Sequence, residues 1–295
     1  MFSKLVDNDI SPLSIPCSQE SSKPSCTLRW RQDKLWVSAM VRGRDVPLPA
    51  LANRDCFLAC LTKSRAKAVC IDPRLGSEVI SLWAQACKTA QKPLFLRIPA
   101  SPYRPAKQKP RSWAIKRGCD LVVAVLLVVV LSPLFLLVAG LVKAQDNGPL
   151  MVAEWRVGER GRMLQLLKFR TTVEGDRALT DNVGIVQTDL TTTPLGHWLK
   201  GSHLDKLPLL FNVLLGDLSL VGPHPWAIYE TLTLPSELQA RLHTLPGITG
   251  SLRRFAHFSA ATPRLVALKE LQDLRYWSLW KDLKQLTATT LQVLS

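Results

Sequence analysis

Acidic residues are scarce in this chain. Of 295 residues, 23 are Asp or Glu against 38 Lys or Arg, a formal net charge of +15. An excess of this sign points to an anionic partner: nucleic acid, lipid headgroups or a phosphate-bearing small substrate. The chain also lacks a helix-turn-helix pattern, zinc-finger spacing and an RNP-type aromatic motif, so no nucleic-acid partner is expected. It has no cysteine framework. The seven cysteines (Cys17, Cys26, Cys56, Cys60, Cys70, Cys87 and Cys119) are odd in number and share no repeated spacing, which argues against disulfide pairing. Cys56 and Cys60 lie about one helical turn apart, but no nearby Cys/His pair completes a metal site. They are expected to be buried or free thiols in a reducing compartment. The first fifteen residues have no basic segment followed by an apolar core, so no cleaved signal peptide is expected.

The most informative absence is local. From Leu121 to Val142 the chain carries no charge. As an unbroken helix this run would be about 33 Å long, enough to cross a bilayer. Its middle holds Ser132-Pro133. Proline removes a backbone donor and clashes with the preceding turn, while a serine hydroxyl can satisfy a carbonyl freed by the break. The run is therefore either a kinked transmembrane anchor or two half-helices that enter a membrane and return to the same side. Arg104, Lys107, Lys109, Arg111, Lys116 and Arg117 precede it, and such basic clusters stay cytoplasmic. A cytoplasmic site after the run would favour the re-entrant form. A plain anchor would put the two ends of the chain on opposite faces.

What is present elsewhere divides the chain. Hydrophobic residues make up 47% of it, sufficient for packed cores in two modest domains. Residues 1–25 are Ser/Pro-rich and are expected to be a flexible tail. Residues 26–98 read as a small α/β domain. Two short β runs, CTLRWRQ and KLWVSAMV, turn around Asp33-Lys34, and a helix follows over Ala50 to Lys63. Strands are expected at Lys67 to Ile71 and Pro93 to Ile98. Between them lies an amphipathic helix from Ser77 to Gln91, with Ser77 as a possible N-cap and Glu78 in its first turn. This domain has no glycine-rich phosphate loop and no paired carboxylates, which suits a regulatory or docking module. Residues 99–112 form a basic, proline-rich linker that can contact anionic headgroups. Residues 113–143 hold the membrane segment, and 144–295 a cytosolic α/β domain.

Chemistry-bearing residues gather in that last part. Gly148-Pro149 is a turn. Arg156-Val-Gly158 and Arg160-Gly161-Arg162 form a basic turn between two apolar runs, leading to Lys168-Phe169-Arg170. Lys168 and Arg170 share a strand face by alternation and can clamp a diphosphate, Arg bidentately and Lys as a point charge. Leu204 to Leu215 reads as an apolar helix. Pro208 fits only in its first turn, which sets Asp205 at the helix start. Gly216-Asp217 closes this helix, and Gly222-Pro223-His224-Pro225 makes a rigid loop.

In order and spacing, these elements resemble the bacterial sugar transferase family, the monotopic polyprenyl-phosphate phosphoglycosyl transferases. The matching stretches run from Trp113 to the C-terminus: KRGCDLVVAVLLVVVLSPLFLL, the NGP turn, RVGERG, LLKFRTT, LDKLPLLFNVLLGDLSLVGPHP, LPGITG and YWSLWKDLKQL. The resemblance implies a membrane-associated α/β protein with a re-entrant helix broken at Ser132-Pro133. It implies catalysis at the cytoplasmic face of the bacterial inner membrane, at the start of exopolysaccharide or glycoconjugate assembly. The donor is a nucleotide sugar and the acceptor polyprenyl phosphate. Asp205 maps to the family nucleophile. Lys168, Arg170, Lys200, Arg156 and His224 are implied substrate contacts, and Mg²⁺ is the implied cofactor. Anionic membrane lipids and polysaccharide assembly proteins are implied partners.

The departures from the family pattern are specific. Lys206 stands where the family carries a Glu that assists Mg²⁺, and an ammonium cannot ligate a hard cation. Lys200 and His224 replace Arg, losing bidentate geometry. Glu154 replaces Gln. Two functions stay open: a transferase with altered metal dependence, and a family member that has lost the chemistry and serves as a non-catalytic scaffold. From Arg264 onward there is no glycine or proline, and the segment reads as helical. Tyr276, Trp277 and Trp280 among Lys281 and Lys284 suit a headgroup interface.

Overall fold

A computed structural model describes residues 26–39, 54–98, 110–145, 148–172, 192–235, 238–250, 263–275, 278, 280–282 and 284–285. The expected tail (1–25), most of the basic linker, and Tyr276 and Trp277 lie outside the described residues. The structure is mixed α/β.

The first body is a four-stranded sheet in the order β1-β2-β3-β4: β1 (Cys26–Arg31), β2 (Lys34–Ala39), β3 (Ala68–Ile71) and β4 (Leu94–Leu96). Between β1 and β2, Gln32 and Asp33 both take positive φ (47° and 60°), the conformation whose twist matches an antiparallel hairpin. β2, β3 and β4 run parallel, which requires crossovers. These contain α1 (Arg54–Lys63) and α2 (Gly76–Thr89). Phe57 of α1 meets Trp83 of α2 edge-on, with ring centroids 4.7 Å apart, a favourable aromatic geometry. Ser77 does not cap α2. The helix begins one residue earlier, on a 3-10 turn (Pro73–Leu75) whose own cap is Asp72, accepting from the Arg74 N–H at 3.0 Å. Pro73 favours that earlier nucleation, because its fixed φ suits a first helical position. Glu78 does lie in the first turn.

The apolar core of this sheet does not stop at residue 98. Val157, Met163, Ile228 and Leu242 belong to the same buried cluster as Val69, Ile71, Ile80 and Trp83. Val157 and Met163 flank the tip of an antiparallel hairpin, β5 (Met151–Val157) and β6 (Met163–Phe169). The tip is a 3-10 turn, Glu159–Gly161, in which Gly161 has φ +77°. A Cβ there would run into the Leu96 carbonyl oxygen, so both the backbone conformation and the approach to β4 require glycine. Phe95 and Arg162 complete the junction as an isolated antiparallel bridge.

The charge-free run forms two helices, α3 (Pro110–Val130) and α4 (Ser132–Gln145), bent by 61°. The cause is local. Pro133 has no N–H for the Val129 carbonyl four residues back, and the Ser132 hydroxyl donates to that carbonyl instead, at 2.7 Å. Among the described residues no single helix is long and apolar enough to cross a membrane, but this bent pair passes the test of length and composition. One side of the pair packs on the protein. Ala124 of α3 joins Leu164 and Leu166 of β6 together with α6 (Leu209–Leu215) and β7 (Ser219–Val221). Val138 and Val142 of α4 join Phe169 and Leu199, the latter in α5 (Pro194–Gly201). The other side leaves large apolar residues in the open, up to 70% exposure at Val130 and 73% at Leu136.

β7 pairs in parallel with β8 (Gly247–Thr249). α7 (Ile228–Thr233) packs against α2, and α8 (Pro263–Arg275) covers the 3-10 turn Leu238–His243. The described cysteines are all free thiols. Burial pushes Cys26 up to about 11 and Cys87 to about 12, so these two are packing residues rather than nucleophiles.

Candidate active site

The β5–β6 hairpin builds the centre of the site. Antiparallel register places Val152 opposite Lys168, Glu154 opposite Leu166 and Arg156 opposite Leu164. Alternation therefore brings Glu154, Arg156 and Lys168 to one face. Glu154 accepts from both cations: Oε1 from Arg156, and Oε2 from the Lys168 ammonium at 2.5 Å. Burial alone would raise the Glu154 carboxyl. Lys168 and Arg156 hold it below its ordinary value instead. Arg156 also faces Glu230 at 4.0 Å, and Glu230 is fixed by the Ala227 N–H at 2.8 Å.

The Gly222–Pro225 loop brings His224 beside this cluster. Its backbone N–H donates to Glu270 of α8 at 2.7 Å, and Glu270 also pairs with the buried Arg241. Arg241 in turn stacks over Trp226, 3.8 Å from the ring centroid, a cation–π contact. Burial, then the positive charges of Arg156, Arg241, Lys168 and Lys206, push the His224 imidazole down to about 3. At neutral pH it is uncharged. It adds no positive charge for an anion and can bind phosphate only through a ring N–H.

Asp205 does not start an α-helix. It lies in a separate 3-10 turn, Leu204–Lys206, preceded by His203 in the left-handed region, and Pro208 caps α6 only afterwards. The physical reason is the proline, which cannot continue the hydrogen bonding of a preceding turn. The backbone donors expected from a helix N-terminus are thus not those of α6. Asp205 is nevertheless buried (7% exposed), and no donor among the described residues bonds its Oδ1. A buried carboxylate oxygen left in this way is uncommon and is a candidate for function. The turn packs against β6 and α5, and Lys206, the next residue, belongs to the charge field around His224.

The structure therefore gathers Arg156, Lys168 and His224 into one cluster, with Asp205 at its edge through Lys206. Arg170 is buried, its backbone N–H donates to the Leu150 carbonyl at 3.0 Å, and its guanidinium lies over Gly148, where a Cβ would collide with it. The glycine of the NGP turn is thus the space that Arg170 occupies. Lys200 is exposed in α5. Ser132 and Pro133 mark the helix bend.

Sequence reasoning missed several supports. Asn212, a lone polar residue in an apolar helix, fastens α6 to β6. It accepts from the Leu167 N–H at 3.0 Å and donates to the Gln165 carbonyl at 2.7 Å. Its isolation in LLFNVLL was a legible signal. Lys116 and Asp120, one turn apart, form a buried polar group with Asp282 (2.7 Å from Lys116) and Ser219 (2.6 Å from Asp120). Glu270 had no signal, because its role depends on a loop 46 residues away in sequence.

Lys206 adjoins Asp205, and among the described residues no group of three or more His, Cys, Asp or Glu is placed to hold a metal ion. Mg²⁺ is usually bound by one or two carboxylates together with substrate phosphates rather than by a protein-only cage, and no step below is routed through it.

Comparison with known proteins now bears on this arrangement. A family model described as bacterial sugar transferase matches residues 111–295, well over half of the chain. The chain belongs to the bacterial sugar transferase family. Among similar members is the exopolysaccharide production protein ExoY of Sinorhizobium fredii (strain NBRC 101917 / NGR234). It is 35% identical over 182 residues, which is 57% of this chain and 80% of that protein. A UDP-glucose:undecaprenyl-phosphate glucose-1-phosphate transferase of Caulobacter vibrioides is 36% identical over 191 residues, 61% of this chain and 70% of that protein. The enzyme of the same name in Escherichia coli (strain K12) is 31% identical over 180 residues, 58% of this chain but 38% of that protein. The chain spans about a third of an undecaprenyl-phosphate glucose phosphotransferase of Komagataeibacter xylinus, 34% of its length. The family match covers the bent helix pair and every member of the charged cluster. It leaves the four-stranded sheet outside.

Proposed function

We propose that this sugar transferase moves a sugar phosphate from a nucleotide diphosphate sugar to polyprenyl phosphate. The observation that carries the reading is the buried Asp205 carboxylate, whose Oδ1 is bonded by no donor among the described residues, in a turn that packs against the strand carrying Lys168. An Asp205 oxygen attacks the sugar-linked phosphorus. A P–O bond forms, the P–O bond to the departing nucleoside monophosphate breaks, and an aspartyl–phosphosugar remains. A polyprenyl phosphate oxygen then attacks the same phosphorus, and the Asp205–phosphorus bond breaks, returning the carboxylate. Lys168 and Arg156 stabilise charge on the transferring group, and Lys206 supplies positive charge beside Asp205 where the family pattern calls for a metal-assisting Glu. The names of the relatives, which specify UDP-glucose and undecaprenyl phosphate, support these two substrate classes.

In this reading the bent helix pair dips into the bacterial inner membrane from the cytoplasmic face. Both arms pack on the same α/β body, α3 through Ala124 and α4 through Val138 and Val142, which favours entry and return on one side over a span. The exposed apolar side would contact lipid chains. Trp280, exposed beside Lys281, suits the headgroup layer.

The test is nucleoside monophosphate release by the lipid-embedded protein, given a panel of nucleotide sugars and polyprenyl phosphate. Asp205→Asn should reduce release by at least about 10³-fold; unchanged release would refute the mechanism. One observation, the Lys206 ammonium adjoining Asp205, favours a second reading as a non-catalytic scaffold in polysaccharide assembly. That reading expects no release from the native protein and release from Lys206→Glu.

A further inference from the structure

Glu154 occupies an unusual place in the charged cluster. Each of its carboxylate oxygens is bonded to a different cation, Oε1 to Arg156 and Oε2 to Lys168. Its side chain is 40% exposed, whereas Arg156 is 16% and Lys168 25% exposed. Glu154 is therefore the most accessible of the three side chains. A phosphate that binds Arg156 and Lys168 has to compete with it, because two phosphate oxygens seek the same donors that two carboxylate oxygens now hold. No other described carboxylate bridges these two cations; Glu230 reaches Arg156 only at 4.0 Å.

We propose that Glu154 is a resident competitor of the donor diphosphate, holding Arg156 and Lys168 in position until phosphate oxygens displace it, and so setting donor affinity. The proposal rests on the reading of this cluster as the phosphate site. Glu154 is a positioning and affinity-determining residue and takes no part in bond making. Because it is ionised through the neutral range and held there by its partners, the competition persists at working pH.

The two outcomes of binding and chemistry separate here. Binding of UDP and of inorganic pyrophosphate to the full-length, lipid-embedded protein requires no turnover. Glu154→Gln keeps the shape and removes the charge. It should tighten both probes about 5–10-fold, the scale of one exposed ion pair or a little more. In turnover it should lower KM with kcat nearly unchanged. Glu154→Asp, shorter by one methylene and still anionic, should fall between the two. Unchanged or weakened binding in Glu154→Gln, with melting temperature preserved, would overturn the proposal, as would equal binding by the Gln and Asp variants. Lys168→Ala provides the separate control on the site itself. It should weaken pyrophosphate binding about tenfold or more in either background. If Lys168→Ala leaves binding intact, the phosphate-site reading fails, and the competitor proposal fails with it.

Discussion

The four-stranded sheet and the β5–β6 hairpin meet at one junction, yet they spend their residues in opposite ways. In the sheet and its helices, burial is almost wholly apolar. Val69, Ile71, Ile80 and Trp83 are sealed, and the half-buried Lys92 closes a loop by donating to the Leu61 and Ser64 carbonyls at 2.6 and 2.7 Å. The hairpin shares that core through Val157 and Met163 but turns its other face into a mesh of charge. Glu154, Arg156 and Lys168 lie there, with His224 stripped of its charge beside them. The difference shows how an apolar scaffold and a polar site divide labour. Apolar burial is non-directional and supplies stability. The charged face is directional, holds each group through its partners, and carries the substrate chemistry.

The largest expected effect tests whether the two regions form one body. Trp83→Ala removes a fully buried indole from the shared core and should lower stability by about 3–5 kcal/mol. If the core is continuous, loss of sheet structure by circular dichroism and loss of pyrophosphate binding should shift together in one thermal transition. Two separated transitions would divide the molecule at residue 98. A smaller effect probes the charged side. His224 has a folded value of about 3 against an ordinary 6.5. The unfolded chain therefore binds more protons between those values, and stability rises with pH across that window. The native protein should lose stability between pH 7 and pH 5 through this group, by less than the full shift implies because the side chain is solvent-exposed. His224→Gln should lose correspondingly less in denaturant titrations at the two pH values. Parallel pH profiles would mean that the cations of Arg156, Arg241, Lys168 and Lys206 do not hold the ring neutral. The smallest effect lies at the junction itself. Gly161→Ala should cost about 1 kcal/mol or more, read as a lower melting temperature. No change would mean that the hairpin tip separates from Leu96 without penalty.

Much of the fold was legible beforehand because it depends on local rules. The alternating β and α runs of residues 26–98, a turn expected around Asp33-Lys34 and found one residue earlier at Gln32-Asp33, the hairpin around the RVGERG stretch and the break before Pro133 each follow from a few neighbouring residues. The Ser132 hydroxyl satisfies the Val129 carbonyl as its position beside Pro133 suggested. Reading failed where distant groups compete. Ser77 lost its capping role to a nucleation one turn earlier. Asp205 was placed at a helix start, when the 3-10 turn carrying it is fixed by β6 and α5.

The sequence by itself determined the positive charge, the broken apolar run, the order of motifs that mark the family, and the residue types at the site. Each is a property of the chain's composition or short-range pattern. Only the tertiary structure decided that Glu154 bridges Arg156 and Lys168, that Arg170 packs over Gly148, and that Glu270 holds the His224 loop. It also decided that the N-terminal sheet shares its core with the hairpin. Those outcomes depend on which side chains, many of them tens of residues apart in the chain, are brought within a few ångströms of one another. Neither separation in space nor loss of water is written in any local stretch of sequence.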